Sequence, residues 1–496
     1  MRTDTDPVAL GVFLFIFAFV ALVGFIAARR WRPPTLAKID EWGLGGRSFG
    51  IWITWFLLGG DFYTAYTVIA VPALVYAVGA YGFFALPYTI IVYPFVFAVM
   101  PRLWRLAHRH GYVTAADVVR GQFGSKTLEL AIALTGVLAV MPYIALQLIG
   151  MATVIKALGL NGELPLIVAF VILAVYAYSS GLRAPAAIAF IKDIMIYVAV
   201  VAAIAVIPIR LGGYAAVFDA ADAAFKAKGS GAVILPSSQY VAYATLALGS
   251  ALAAFMYPHT LTGVFASNGA QTIRKNAILL PAYTLLLGLL ALLGYMAHAV
   301  QLDISDNNEV VPALFQALFP SWFAGFAFAA IAIGALVPAA VMSIGAANLF
   351  ARNFWRAHID PQISAAAEAQ VAKIASLVVQ IGAVFAVIFL PIQFALYLQL
   401  LGGMWIIQIL PALVFGLYTS WFRAPALLAG WAAGILSGTY FAYSDGLKPL
   451  HAIHLGPIET TVYTALLALG VNIVVAVVVQ TLPLSRVGSP AAKTRA

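Results

Sequence analysis

The chain has 496 residues, of which 64% are hydrophobic and only 9% charged, and this excludes a water-soluble globular protein. With no cysteine it has no disulfide framework, thiol catalysis or thiolate metal site. The formal net charge of +9 follows from where loop cations sit and implies no nucleic-acid binding.

Taken in chain order at roughly 20 residues per crossing, the apolar runs predict an all-α polytopic membrane protein of about thirteen helices, numbered here as segments 1–13. They are centred near 8–28, 49–79, 82–101, 128–155, 165–180, 186–209, 239–266, 277–299, 322–350, 373–391, 393–418, 424–443 and 460–483. The connections at 101–127, 210–238, 300–321 and 351–372 are too short for an independent core, so residues 1–484 read as one transmembrane domain, with a basic tail at 485–496. Asp4 and Asp6 stand where a signal peptide would carry cations, so segment 1 is expected to be retained. With the N-terminus outside, Arg29, Arg30, Arg102, Arg105, Arg109, Arg120, Lys126, Arg352, Arg356 and Arg423 share the cytoplasmic side, as does the C-terminus. The opposite loops carry Asp219, Asp222, Asp306 and Glu309.

Two segments are interrupted, segment 2 at Gly59-Gly60-Asp61 and segment 7 at Tyr257-Pro258-His259. A break at bilayer depth bares backbone groups that lipid cannot satisfy, so it persists where it lines a cavity or binds a polar solute. The breaks lie five segments apart, which predicts two inverted five-helix repeats, about 49–209 and 239–418, the arrangement of secondary transporters.

Asp61 is the one acid deep in an expected span, and it reads as cation or proton handling, as a cap on the second half-helix, or as both. His259 follows Pro258, whose ring removes a donor. A half-helix N-terminus there suits a carboxylate, with His259 adding a donor; the plainer alternative is a satisfied interior histidine. Lys192-Asp193, placed near the cytoplasmic end of segment 6, reads as a self-neutralising pair or as part of a cation exit path.

Several motifs then carry a resemblance. The run His110-Gly111-Tyr112-Val113-Thr114-Ala115-Ala116-Asp117, the helix with Tyr143-Ile144-Ala145-Leu146-Gln147, Gly181-Leu182-Arg183-Ala184, and Pro258-His259 with Arg274-Lys275 resemble the sodium:solute symporter family over nearly the whole chain. Gly60-Asp61-Phe62-Tyr63-Thr64, Gly334 to Ser343 and Gly402-Gly403-Met404-Trp405-Ile406-Ile407-Gln408 are most similar to its monocarboxylate permease branch. The resemblance implies a leucine-transporter-like five-plus-five core and cation-driven import of lactate, pyruvate or acetate, with sodium or protons as coupling ion and no other cofactor. It also implies the plasma membrane, in a bacterium the inner membrane. Substrate candidates are Gly60, Tyr63, Thr64, Gln147, Tyr257, Pro258, His259, Trp405 and Gln408; cation candidates are Gly59, Asp61, Phe62, Ser343 and Asp193.

The implied sodium site combines carbonyls of Gly59 and Phe62 with hydroxyls of segment 9. Aligned by Asn353, those hydroxyl positions fall on Val337 and Pro338; aligned by Ala339 to Ser343, only Ser343 supplies an oxygen, Ile344 taking the second place. About a turn of extra chain separates Gly181 from Asp193, which loosens the assignment of Asp193. A proton on Asp61 therefore rivals sodium. An amino-acid symporter of the proline or alanine type is the alternative substrate class, and a transporter-like sensor or a passive channel the alternative of another kind. No metal or nucleophile constellation for an enzyme occurs in the spans.

Overall fold

The computed structural model describes residues 5–30, 35–60, 64–160, 164–302, 304–389, 395–455 and 458–483. Among these, nine helices are long and apolar enough to cross a bilayer, and a tenth if Ser237–Ala254 and Pro258–Ala266, bent by 48°, count as one span. The three other expected segments are helical too. Segment 2 is Ile51–Gly60 and, beyond residue 63, a wide turn at Tyr66–Ala70 continuing into Val71–Val78; segment 5 is Leu164–Ser180 and segment 12 is Ala424–Ser444. This nearly all-helical, multi-pass architecture is what hydrocarbon demands of a chain whose backbone groups must be satisfied locally.

Segment 9, Ser321–Leu349, is the centre of the bundle. Its most apolar stretch is 94% buried, against 22% for segment 1. Alanine and glycine dominate it, so segments 1, 4, 6 and 10 and the second half of segment 7 approach closely. At Gly345 a Cβ would lie 2.9 Å from the backbone of Pro258 and His259, so only glycine lets segment 9 touch the start of that half-helix.

Some boundaries differ from expectation. Segment 3 runs on to His110 because a helix outlasts its apolar run, and it stops at Gly111 in the left-handed conformation, φ 68°. Segment 13 begins at Thr464 rather than 460: Ile458–Tyr463 is a strand paired antiparallel with Leu450–Leu455, Ala452 facing Thr461, as its β-branched residues favour. The connections also hold helices, Ala115–Phe123, Tyr214–Lys228 and Val310–Leu318. The tail at 485–496 lies outside the described residues.

Candidate functional site

Pro258 sets the break in segment 7. A proline drives the residue before it out of the helical region and is itself suited to the first position of a helix. Tyr257 is accordingly extended, φ −63° and ψ 142°, and Pro258 opens the helix Pro258–Ala266. The unwound stretch is thus Phe255–Tyr257 and not Tyr257–His259; His259 stands in the first turn of the second half. Tyr257 donates its hydroxyl to the Gln399 carbonyl of segment 11 at 2.9 Å. The backbone N–H groups of His259 and Thr260 lie at the positive end of the half-helix, before the first intrahelical bond from Leu261 N to Tyr257 O.

This helix start faces a cavity lined by Tyr88, Tyr143, Ala254, Tyr257, His259, Thr260 and Gln399, of about 20 Å³, room for about one water. His259 is 2% exposed, and its ring sits 5.4 Å from that of Tyr143 and 5.2 Å from that of Tyr257. Its Nδ1 finds no hydrogen-bond partner in the protein, nor do Gln399 Oε1 and the hydroxyl of Tyr66, whose ring meets Tyr88 edge-on at 6.3 Å. Buried polar atoms left over in this way are uncommon. Three tyrosines, a histidine, a threonine and a glutamine give the lining its polar groups without a fixed side-chain charge among the described residues.

The described part of the break in segment 2 is built differently. Gly59 and Gly60 are the last described residues of the first half-helix, and each leaves room for a neighbour: a Cβ at Gly59 would fall 2.1 Å from the Tyr283 ring, and one at Gly60 2.9 Å from Lys192 Nζ. Lys192 donates to the Gly60 carbonyl at 2.8 Å and pairs with Asp193 at 3.0 Å, both side chains being 0% exposed. The Tyr283 hydroxyl donates to Asp193 at 2.6 Å. The pair lies nine residues into the helix Arg183–Arg210, about 14 Å along its axis, so it stands at bilayer depth rather than near the helix end. Asp61, Phe62 and Tyr63 lie outside the described residues.

Past them, the second half of segment 2 is capped by side chains. Thr64 accepts from Tyr66 N at 3.0 Å, Thr67 accepts from Thr64 N at 3.0 Å, and Gln147 of segment 4 accepts from Ala65 N at 3.0 Å. The N–H of Thr64, a donor that a cap by Asp61 would use, is thereby bonded to Thr67.

The remaining candidates are dispersed. Ser343 donates to the Ala340 carbonyl at 2.8 Å and accepts from Ser376 and Gln380 of segment 10. Trp405 bonds Thr439 of segment 12 at 3.1 Å, and Gln408 accepts from Asn472 of segment 13 at 3.0 Å. Sequence reasoning passed over Tyr66, Tyr88, Tyr283 and Gln399. Tyr143 alone had a signal, lying four residues before Gln147 on the same helical face.

Outside the spans, the run Thr114-Ala115-Ala116-Asp117 forms a reciprocal cap: Thr114 accepts from Asp117 N at 3.1 Å, and Asp117 from Val113 N at 2.8 Å. Asn353 joins this turn to segment 4, donating to Asp117 at 2.7 Å and to Glu129 at 2.9 Å. Leu182 N bonds the Trp42 carbonyl at 2.9 Å and Arg183 pairs with Glu41 at 2.8 Å, which explains Gly181-Leu182-Arg183-Ala184 as an anchor.

Two broken helices, the second half of one packed against a small-residue helix, with a partly polar cavity at that half-helix start, are the arrangement of a secondary membrane transporter. Residues 42–434 match the family model of the sodium:solute symporter family, and the chain belongs to that family; it is a transporter and not an enzyme. It is 71% identical over 482 residues, 97% of its length and 98% of the relative's, to a monocarboxylate transport permease protein of Rhizobium johnstonii. It is 33% identical to the uncharacterized symporter YodF of Bacillus subtilis, over 90% of each chain. Its fold is similar to the substrate-bound, outward-open state of a Na+-coupled sialic acid symporter, with a TM-score of 0.78 at 15% identity, covering 99% of this chain and 100% of the other. The fold is thus leucine-transporter-like.

Proposed function

We propose that the protein imports small monocarboxylates such as lactate, pyruvate and acetate, driven by a sodium or proton gradient. The observation that carries this reading is the start of the second half of segment 7, where Thr260 and His259, whose Nδ1 has no partner, line a cavity together with Tyr88, Tyr143, Tyr257 and Gln399. Widened from its present room for about one water, such a site stabilises one carboxylate through the helix dipole and hydrogen bonds, without a fixed cation that would favour a second negative charge. The permease-like relative at 71% identity supports the same substrate class. An amino-acid symporter is the rival reading. Its substrate's ammonium needs a carboxylate partner, which among the described residues does not line this cavity.

In this reading the two repeats span about 49–209 and 239–418, the N-terminus is outside and the C-terminus cytoplasmic, in a bacterial inner membrane. Asp61, next in sequence after Gly60, takes part in coupling, and Asp61→Asn is expected to lose accumulation against a gradient while keeping exchange. The deciding experiment is uptake of labelled acetate, lactate, pyruvate, alanine and proline into proteoliposomes, with sodium and proton gradients imposed separately. Monocarboxylates should be taken up and should compete with one another. Competition by amino acids alone would overturn the reading.

A further inference from the structure

We propose that one face of segment 3 holds an anionic phospholipid: Arg102, Arg105 and Arg109 take its phosphodiester, and its acyl chains lie along Ile91, Pro94 and Ala98. The proposal needs only that the chain spans a membrane, whatever solute it carries.

Segment 3 is the single helix Ala85–His110, and these six residues recur every three or four positions along it, so they share one stripe. All are exposed except Arg102, which is half-buried. The stripe is apolar up to Ala98 and cationic from Arg102 onward. The apolar run 82–101 covers about 30 Å, a full hydrocarbon core, which sets Arg102 at the polar boundary and Ile91 near the midplane. Arg105 and Arg109 follow about 4.5 and 10 Å further along the axis, within reach of the headgroup layer. Exposed aromatic residues mark the same level, as they do at membrane boundaries. The Tyr418 hydroxyl donates to the Ala98 carbonyl at 3.1 Å, the Arg102 guanidinium lies 4.7 Å from the Tyr418 ring, and Trp421 is exposed beside them.

The three arginines are not spent within the protein. Arg47, Arg120, Arg183, Arg352 and Arg356 each pair with a carboxylate, whereas among the described residues no acid pairs with Arg102, Arg105 or Arg109. With Leu106 they line a cavity of about 290 Å³, where one water needs about 10–15 Å³. A phosphate group has room there. Guanidinium forks match phosphate oxygens two at a time, and basic pockets at the membrane boundary attract anionic headgroups. A free phosphate would gain nothing from the apolar half of the stripe, so the occupant is a lipid.

The test uses the purified full chain in detergent, phosphatidylglycerol and phosphatidylcholine with the same acyl chains as probes, and native mass spectrometry as the readout. Wild-type protein should retain phosphatidylglycerol at least about tenfold more tightly than phosphatidylcholine. Arg105→Gln combined with Arg109→Gln should weaken phosphatidylglycerol retention by about tenfold or more. Lys38→Gln combined with Lys126→Gln, which removes two exposed cations elsewhere, should leave it unchanged, and inorganic phosphate in excess should not displace the lipid. Equal retention of the two lipids, an arginine variant that binds like wild type, an equal loss in the lysine variant, or displacement by inorganic phosphate would each overturn the proposal. Should the variants not reach the membrane, phosphatidylglycerol carrying a diazirine decides on the wild type: crosslinks within residues 91–109 are expected, and crosslinks confined to other regions would overturn it.

Discussion

His259→Phe separates substrate binding from stability in a way no other substitution in the cavity does. Phenylalanine keeps a planar ring against Tyr143 and Tyr257, 5.4 and 5.2 Å from the imidazole centroid, while removing both nitrogens. A hydrogen bond to a charged group contributes about 1.5–3 kcal/mol, so losing the imidazole donor should raise KM for lactate by about 10- to 150-fold. The free protein loses no partner at Nδ1, because that atom has none. It is instead relieved of a buried polar atom whose desolvation costs about 1–3 kcal/mol. The variant should therefore unfold at a higher temperature than wild type while binding more weakly, opposite signs that mark a residue kept for function. Uptake kinetics in proteoliposomes and thermal unfolding in detergent measure the two. Wild-type KM with a lowered melting temperature would refute the reasoning and make His259 a packing residue.

Gly345→Ala brings a Cβ to 2.9 Å from the backbone at Pro258 and His259, an overlap expected to cost about 1–3 kcal/mol; it should raise KM and lower the melting temperature together. Gln147→Leu leaves the N–H of Ala65, a residue 1% exposed, without its acceptor, and should lower stability by about 1–3 kcal/mol in thermal unfolding. Asn353→Leu strips the 2.7 and 2.9 Å bonds to Asp117 and Glu129, the latter 4% exposed. It should cost about 3 kcal/mol or more, read as a lowered melting temperature that Asn353→Gln restores in part.

The linear pattern of the chain determined those features that depend on composition over a helix length. Long apolar runs define membrane helices because hydrocarbon tolerates few charges and no unpaired backbone, so the segments were legible wherever a run was uninterrupted. Pro258 announced a broken helix for a purely local reason, the missing N–H, although the unwound turn lies before the proline because of the restraint a proline puts on its predecessor. The strand Ile458–Tyr463 escaped notice because its hydropathy merges with that of the following helix. Only the tertiary structure decided which polar residues meet. Tyr88, Tyr143, His259 and Gln399 converge from four segments, and nothing in their sequence spacing encodes that approach. Trp405, Gln408 and Ser343, plausible as residue types, point into contacts with segments 12, 13 and 10. Lys192 and Gly60 are 132 positions apart; their bond depends on how segment 6 packs against the end of a half-helix, a property of through-space contact and not of any local run of residues.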